Sequence, residues 1–186
     1  MARPTGAALA ARIALLVGLA AWTWHLASQP MAVAAASILH LVNLPFHEAG
    51  HVLFMPFGRF MTTLGGSLMQ IVVPLVCAGV LLVKTRDQFG ASVATWWCGE
   101  NFLDLAPYID DARSLQLVLL GGYTGAEVEG HDWEAILTRL GWLHLDHALA
   151  RGARVAGLLV MVAALAWAVA TLTRARATSG ADSLDA

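Results

Sequence analysis

The sequence predicts an all-α membrane protein with about five transmembrane helices and one short extended segment. Three observations carry this expectation. Residues 13–46, 60–83 and 155–173 contain no Asp, Glu, Lys or Arg. Only 13% of the 186 residues are charged, about half the share of an ordinary soluble domain. Finally, His47-Glu-Ala-Gly-His51 stands in a stretch apolar enough to be expected within a bilayer, where a carboxylate costs roughly 2.5–3.5 kcal/mol unless something compensates it.

Taken in order, the first expected span is about Ala10–Ala27, preceded by Arg3 and Arg12 and closed by Ser28-Gln29-Pro30. A basic start, an apolar run and small residues also fit a signal peptide, but a retained anchor over 1–30 is the favoured reading. The second span, about Met31–Phe57, holds the pentad. Asn43 and Pro45 interrupt it, since Pro45 has no N–H to give and Asn43 suits a cap. Pro56 and Gly58 end it. Phe60–Gly66, with β-prone Thr62 and Thr63 and a Gly65-Gly66 turn, is expected to be extended.

The third span is about Ser67–Val83, stopped by Lys84-Thr-Arg-Asp87. The fourth, about Ala91–Pro107, carries Glu100, Asn101 and Asp104 where apolar residues belong. A polar loop and a mildly amphipathic interfacial helix fill 114–149. The last span, about Val155–Thr173, lies within a C-terminal segment 150–176, and a disordered tail is expected over 177–186. The membrane core is therefore 31–113. Lys and Arg are spread over both sets of loops, so the positive-inside rule gives no orientation.

A net charge of −2 gives no reason to expect nucleic acid as a partner. Cys77 and Cys98 lack metal-type spacing and read as inert thiols.

On a helix, His47 and His51 lie one turn apart on one face and can share a Zn²⁺ ion. Glu48 beside them is placed to take a proton from a bound water. A catalytic zinc needs a third protein ligand, and Glu100, Asp104, Asp110, Asp111, His131 and Asp132 are the candidates. Glu100 and Asp104 share a helix face and either line a polar path or pair with a neighbouring helix. His40, seven residues before His47, reads as a core histidine. His131-Asp132-Trp133 reads as a helix start capped by Asp132.

The pentad in a membrane span, followed by Asn101-Phe-Leu-Asp-Leu-Ala-Pro107-Tyr-Ile-Asp110-Asp111-Ala112, resembles the site-2-protease family of intramembrane zinc metalloproteases. The resemblance covers roughly residues 40–113. Pro107 lies further from Asn101 than the family spacing has it, and Ala112 replaces a glycine. The resemblance implies a zinc endopeptidase with His47, His51 and Asp111 as ligands, Asp110 as the near alternative, and Glu48 as general base; outside the motif, His131 is a further alternative third ligand. It further implies that Asn101, Gly65 and Gly66 contact substrate, with the extended 60–66 segment pairing with an unwound membrane-protein or peptide substrate. The rival expectation is a non-catalytic zinc-binding membrane protein that regulates or binds another membrane protein. Oligomeric state is left open, and a short Ala- and Arg-rich chain suits a bacterial inner membrane.

Overall fold

In the computed structural model, which describes residues 6–31 and 37–182, the chain is essentially all helical. The helices are α1 (Gly6–Ser28), α2 (Ile38–Phe54), α3 (Arg59–Val80), α4 (Gln88–Asp110), α5 (Asp132–Leu140) and α6 (Asp146–Asp182). Among the described residues, three stretches are long and apolar enough to cross a bilayer: Gly6–Ser28, Arg59–Thr85 and Leu143–Arg174. The protein is an integral, multi-pass membrane protein, with three such helices rather than the expected five.

The two lost spans fail for physical reasons. Helix α2 has 17 residues, at the lower limit of what crosses the hydrocarbon core, and five of them are His40, Asn43, His47, Glu48 and His51. Helix α4 is long enough, with 23 residues, but Glu100, Asn101 and Asp104 remove it from the apolar class. Part of the expected second span, residues 32–36, lies outside the described residues, as do residues 183–186 of the expected tail. Helix α6 itself runs to Asp182.

The expected extended segment is helical. Phe60–Gly66 forms the first turns of α3, and the Thr62 and Thr63 hydroxyls donate to the carbonyls of Gly58 and Arg59 one turn back. Packing overrides β-propensity here. Gly50 and Gly65 bring α2 and α3 together so closely that a Cβ on Gly65 would stand 2.6 Å from the Gly50 carbonyl oxygen. Small residues let helix backbones approach in this way.

Helix α4 is the centre of the molecule, buried between α3 and α6. Leu26, Trp96, Leu103, Met161 and Ala164 join α1, α4 and α6 into one apolar cluster. Gly99 and Gly157 meet where α4 crosses α6, and a Cβ on Gly99 would lie 2.8 Å from the Gly157 carbonyl oxygen. Arg154 donates to the carbonyls of Leu26, Ala27 and Gln29 at 3.3, 3.0 and 2.7 Å, satisfying the open C-terminal end of α1.

Candidate metal centre

Helix α2 starts at Ser37, whose hydroxyl accepts from the Leu39 N–H at 3.2 Å, not at Asn43. It continues unbroken through Pro45, so the i, i+4 geometry of His47 and His51 is intact and their ring centroids lie 4.8 Å apart. His40 keeps to the same side, and all three histidines line one cavity of about 680 Å³.

Both imidazoles are held from behind. His47 Nδ1 lies 2.6 Å from Gln70 Oε1, and His51 Nδ1 lies 2.8 Å from the Thr62 carbonyl oxygen. These partners accept hydrogen bonds, which assigns the Nδ1 nitrogens as donors and turns both Nε2 atoms forward. In front of them stands one oxygen of Asp132, 2.9 Å from His47 Nε2 and 3.3 Å from His51 Nε2. His47, His51 and Asp132 offer ligand atoms that all lie within 4.8 Å of one another.

Asp132 opens α5, where the residues on either side fix it. His131 caps the helix, its Nδ1 accepting from the Glu134 N–H at 3.1 Å. The Asp132 N–H donates to the Tyr108 hydroxyl at 2.8 Å. Trp133 Nε1 donates to the Ser67 hydroxyl at 3.1 Å, tying α5 to α3. The cap is thus His131, and Asp132 is free to face the histidines.

The electrostatics follow from this contact. The hydrogen bond to Asp132 lifts the His51 imidazole to about 9, against the opposing effect of burial. Burial pushes the Asp132 carboxyl up, but the hydrogen bonds from His47 and His51 outweigh it and hold the group below the usual range. Burial pushes the His131 imidazole down. The carboxylate and the two forward nitrogens leave a place that only positive charge can fill, whether a proton or a metal ion.

Two further observations test the fit to a divalent cation. Two imidazole nitrogens and one carboxylate oxygen form a set that such ions accept. Gly66 of α3 lies against the pair, and a Cβ there would stand 2.5 Å from His47 Nε2 and 2.7 Å from His51 Cε1. Any side chain at this position would fill the cradle. The cluster has the capacity to coordinate a divalent ion.

The other expected site residues lie elsewhere. Asp111 closes the start of the loop that follows α4, accepting from the Ser114 hydroxyl and the N–H groups of Gln116 and Leu117 at 2.5, 2.9 and 2.8 Å. Asp110 pairs with His147 Nδ1 at 2.7 Å. His131 packs its ring against Tyr108, with centroids 4.4 Å apart. Its Nε2 is 3.4 Å from Asp111 Oδ2 yet is buried without a hydrogen bond, the geometry being unfavourable at that separation. Asn101 is wholly buried between α4 and α3, donating to the Trp97 carbonyl at 3.0 Å. Gly65 and Gly66 sit at the α2–α3 crossing.

Compared with family models, with curated proteins and with solved structures, the chain matches none. The expected site-2-protease kinship and its zinc endopeptidase activity are overturned by the site itself. Its helix is not among the three apolar spans. The third group at the histidines is Asp132 from a later helix, not an aspartate at the end of α4. The segment expected to pair with substrate is helical, its hydrogen bonds spent internally. Glu48 lines the cavity but is exposed, and among the described residues no hydrogen bond or ion pair holds its carboxylate. A general base must be held within reach of the proton it takes.

In the sequence Asp132 is one of six candidate third ligands and reads as a helix cap. The signal was the His131-Asp132-Trp133 run, in which the neighbours carry the cap and the anchor. Gln70, the outer partner of His47, carried no sequence signal beyond a lone polar residue in an apolar run.

Proposed function

We propose that this chain is a non-catalytic zinc-binding membrane protein, in which His47, His51 and Asp132 hold one Zn²⁺ that fastens the α5 segment to α2. The reading is supported above all by where the three ligands come from. Two lie on α2 and the third on α5, so a shared ion joins two helices far apart in the sequence and adds to the contacts that Trp133 and the Asp132 N–H make with Ser67 and Tyr108. Structural and regulatory metal sites add folding energy in this way. The outer partners Gln70 and Thr62 supply the orientation such ligands need.

The protein's role is to bind, and through the metal-fastened segment to regulate, another membrane protein. Ile38, Leu41, Val52 and Phe57 form an exposed apolar face on α2 and the turn after it, a surface suited to a neighbouring membrane helix. A bacterial inner membrane is the proposed setting.

The test is metal content and protection together. Detergent-purified protein is expected to carry about one zinc per chain, and chelation is expected to open the 111–131 loop to protease. Protein that is folded yet free of zinc, or a loop equally protected with and without it, would overturn the reading.

A further inference from the structure

We propose that the backbone carbonyl of Trp97, acting through Asn101 and Gln70, fixes the tautomer of His47 and thereby sets the affinity of the cation site. Gln70 and Asn101 are positioning residues, and this assignment rests on the zinc-binding reading above.

Amide side chains can be turned either way, so their direction must come from groups with a single role. The chain of bonds here begins at such a group. The Trp97 carbonyl only accepts, and Asn101 Nδ2 donates to it at 3.0 Å. Asn101 therefore presents Oδ1 to Gln70, whose Nε2 lies 3.3 Å from it and 2.9 Å from Asp104 Oδ2. Both of those atoms accept, so Gln70 turns Oε1 toward His47 Nδ1, at 2.6 Å. Nδ1 is left as the donor to Gln70, and Nε2, 2.9 Å from Asp132 Oδ2, is the nitrogen that carries a proton there or gives its lone pair to a cation that replaces it.

A second branch agrees. The Trp97 indole N–H only donates, and it reaches Asn43 Oδ1 at 2.8 Å. Asn43 Nδ2 then points at Glu100 and Asp104, at 2.9 and 3.1 Å. Asp104 spends its other oxygen on His40 Nδ1, at 2.9 Å. Asn43 and Asn101 are 0% exposed, Glu100 1% and Gln70 4%, so these groups take their partners mainly from one another. A reversed Gln70 amide would set its oxygen against the Asp104 carboxylate and its NH₂ against Nδ1–H.

Neutral imidazole otherwise divides between two tautomers and rotates. Outer partners that remove this freedom are worth about 10–100-fold in metal affinity.

The experiment uses Co²⁺ alone as probe on the full chain in detergent, with affinity taken from its visible absorption. A second readout is the exchangeable, paramagnetically shifted Nδ1–H resonance of His47 in the Co²⁺-loaded protein. Gln70→Met, which keeps the length and removes the acceptor, is expected to bind about 10–100-fold more weakly and to lose that resonance. The swap Gln70→Glu with Asp104→Asn conserves charge and keeps an acceptor behind His47, and is expected to regain the resonance and to bind more tightly than Gln70→Met. Wild-type affinity and an unchanged resonance in Gln70→Met would overturn the proposal. If Gln70→Met does not fold, a folded, Co²⁺-loaded swap variant that lacks the resonance overturns it. A folded wild type that takes up no Co²⁺ defeats the zinc-binding reading itself, and this assignment with it.

Discussion

The Cα of Gly66 lies against the imidazole of His47, so close that a methyl group added there would stand 2.5 Å from Nε2. The first prediction follows from that contact. Gly66→Ala should gain slightly in helix propensity while closing the cradle. Metal content, measured by elemental analysis, is expected to fall well below that of the wild type, with helical content by circular dichroism unchanged. Full metal loading in this variant would show that the ion sits elsewhere.

Asp132 and Asp111 should part company when each is removed. Asp132→Ala is expected to abolish tight zinc binding, since it deletes one of three ligands. Asp111→Ala is expected to keep the metal but loosen the loop, because three donors lose their acceptor, at about 1–3 kcal/mol for a group left unsatisfied. Zinc stoichiometry paired with thermal unfolding separates the two. Loss of metal in Asp111→Ala alone would reverse the assignment.

The chelator-treated protein should show a pH signature of the His51–Asp132 contact. The folded imidazole sits at about 9 against 6.5 in the unfolded chain, so its contribution is complete below 6.5 and lost as pH rises through about 9. Asp132 is held below 3.8, so its contribution is present above 3.8 and lost as pH falls through its depressed value. The difference in unfolding midpoint between wild type and Asp132→Asn should therefore shrink from pH 6.5 to pH 9. A difference that is flat over that range would rule out the ion pair.

Helix crossing at Gly99 and Gly157 supplies a control away from the metal. A Cβ at Gly157 would press on Leu103, the Gly99 carbonyl and Phe102. Gly157→Ala is expected to destabilise the bundle by about 1–3 kcal/mol, as overpacked cores do, while the metal-loaded fraction of folded protein stays the same. Denaturation in mixed micelles, read beside zinc content, checks both halves.

How much of this was legible in the chain depended on whether the cause was local. The charge-free runs gave α1, α3 and α6 because apolar length alone makes a span. His47 and His51 were legible because four residues of helix bring them together. Thr62 and Thr63 misled: their branched side chains suggest a strand, and only the close approach of Gly50 and Gly65 makes a helix there. Asp132 was one acid among several, since nothing between residues 51 and 132 says how the chain returns. The same holds for the pairing of Asn43 and Gln70 with the carboxylates of α4, which is a matter of tertiary geometry.

The order of those partners along the chain bears on how the protein is made. Helix α4 brings Glu100 and Asp104 to the centre of the bundle, and a carboxylate released alone into hydrocarbon is costly. Asn43 and Gln70, which receive them, belong to segments synthesised earlier. When α4 leaves the ribosome the segments that carry its polar neighbours have already been made, so partners for its carboxylates are at hand. A permuted chain that delivered α4 first would expose Glu100 and Asp104 before Asn43 and Gln70 had been made.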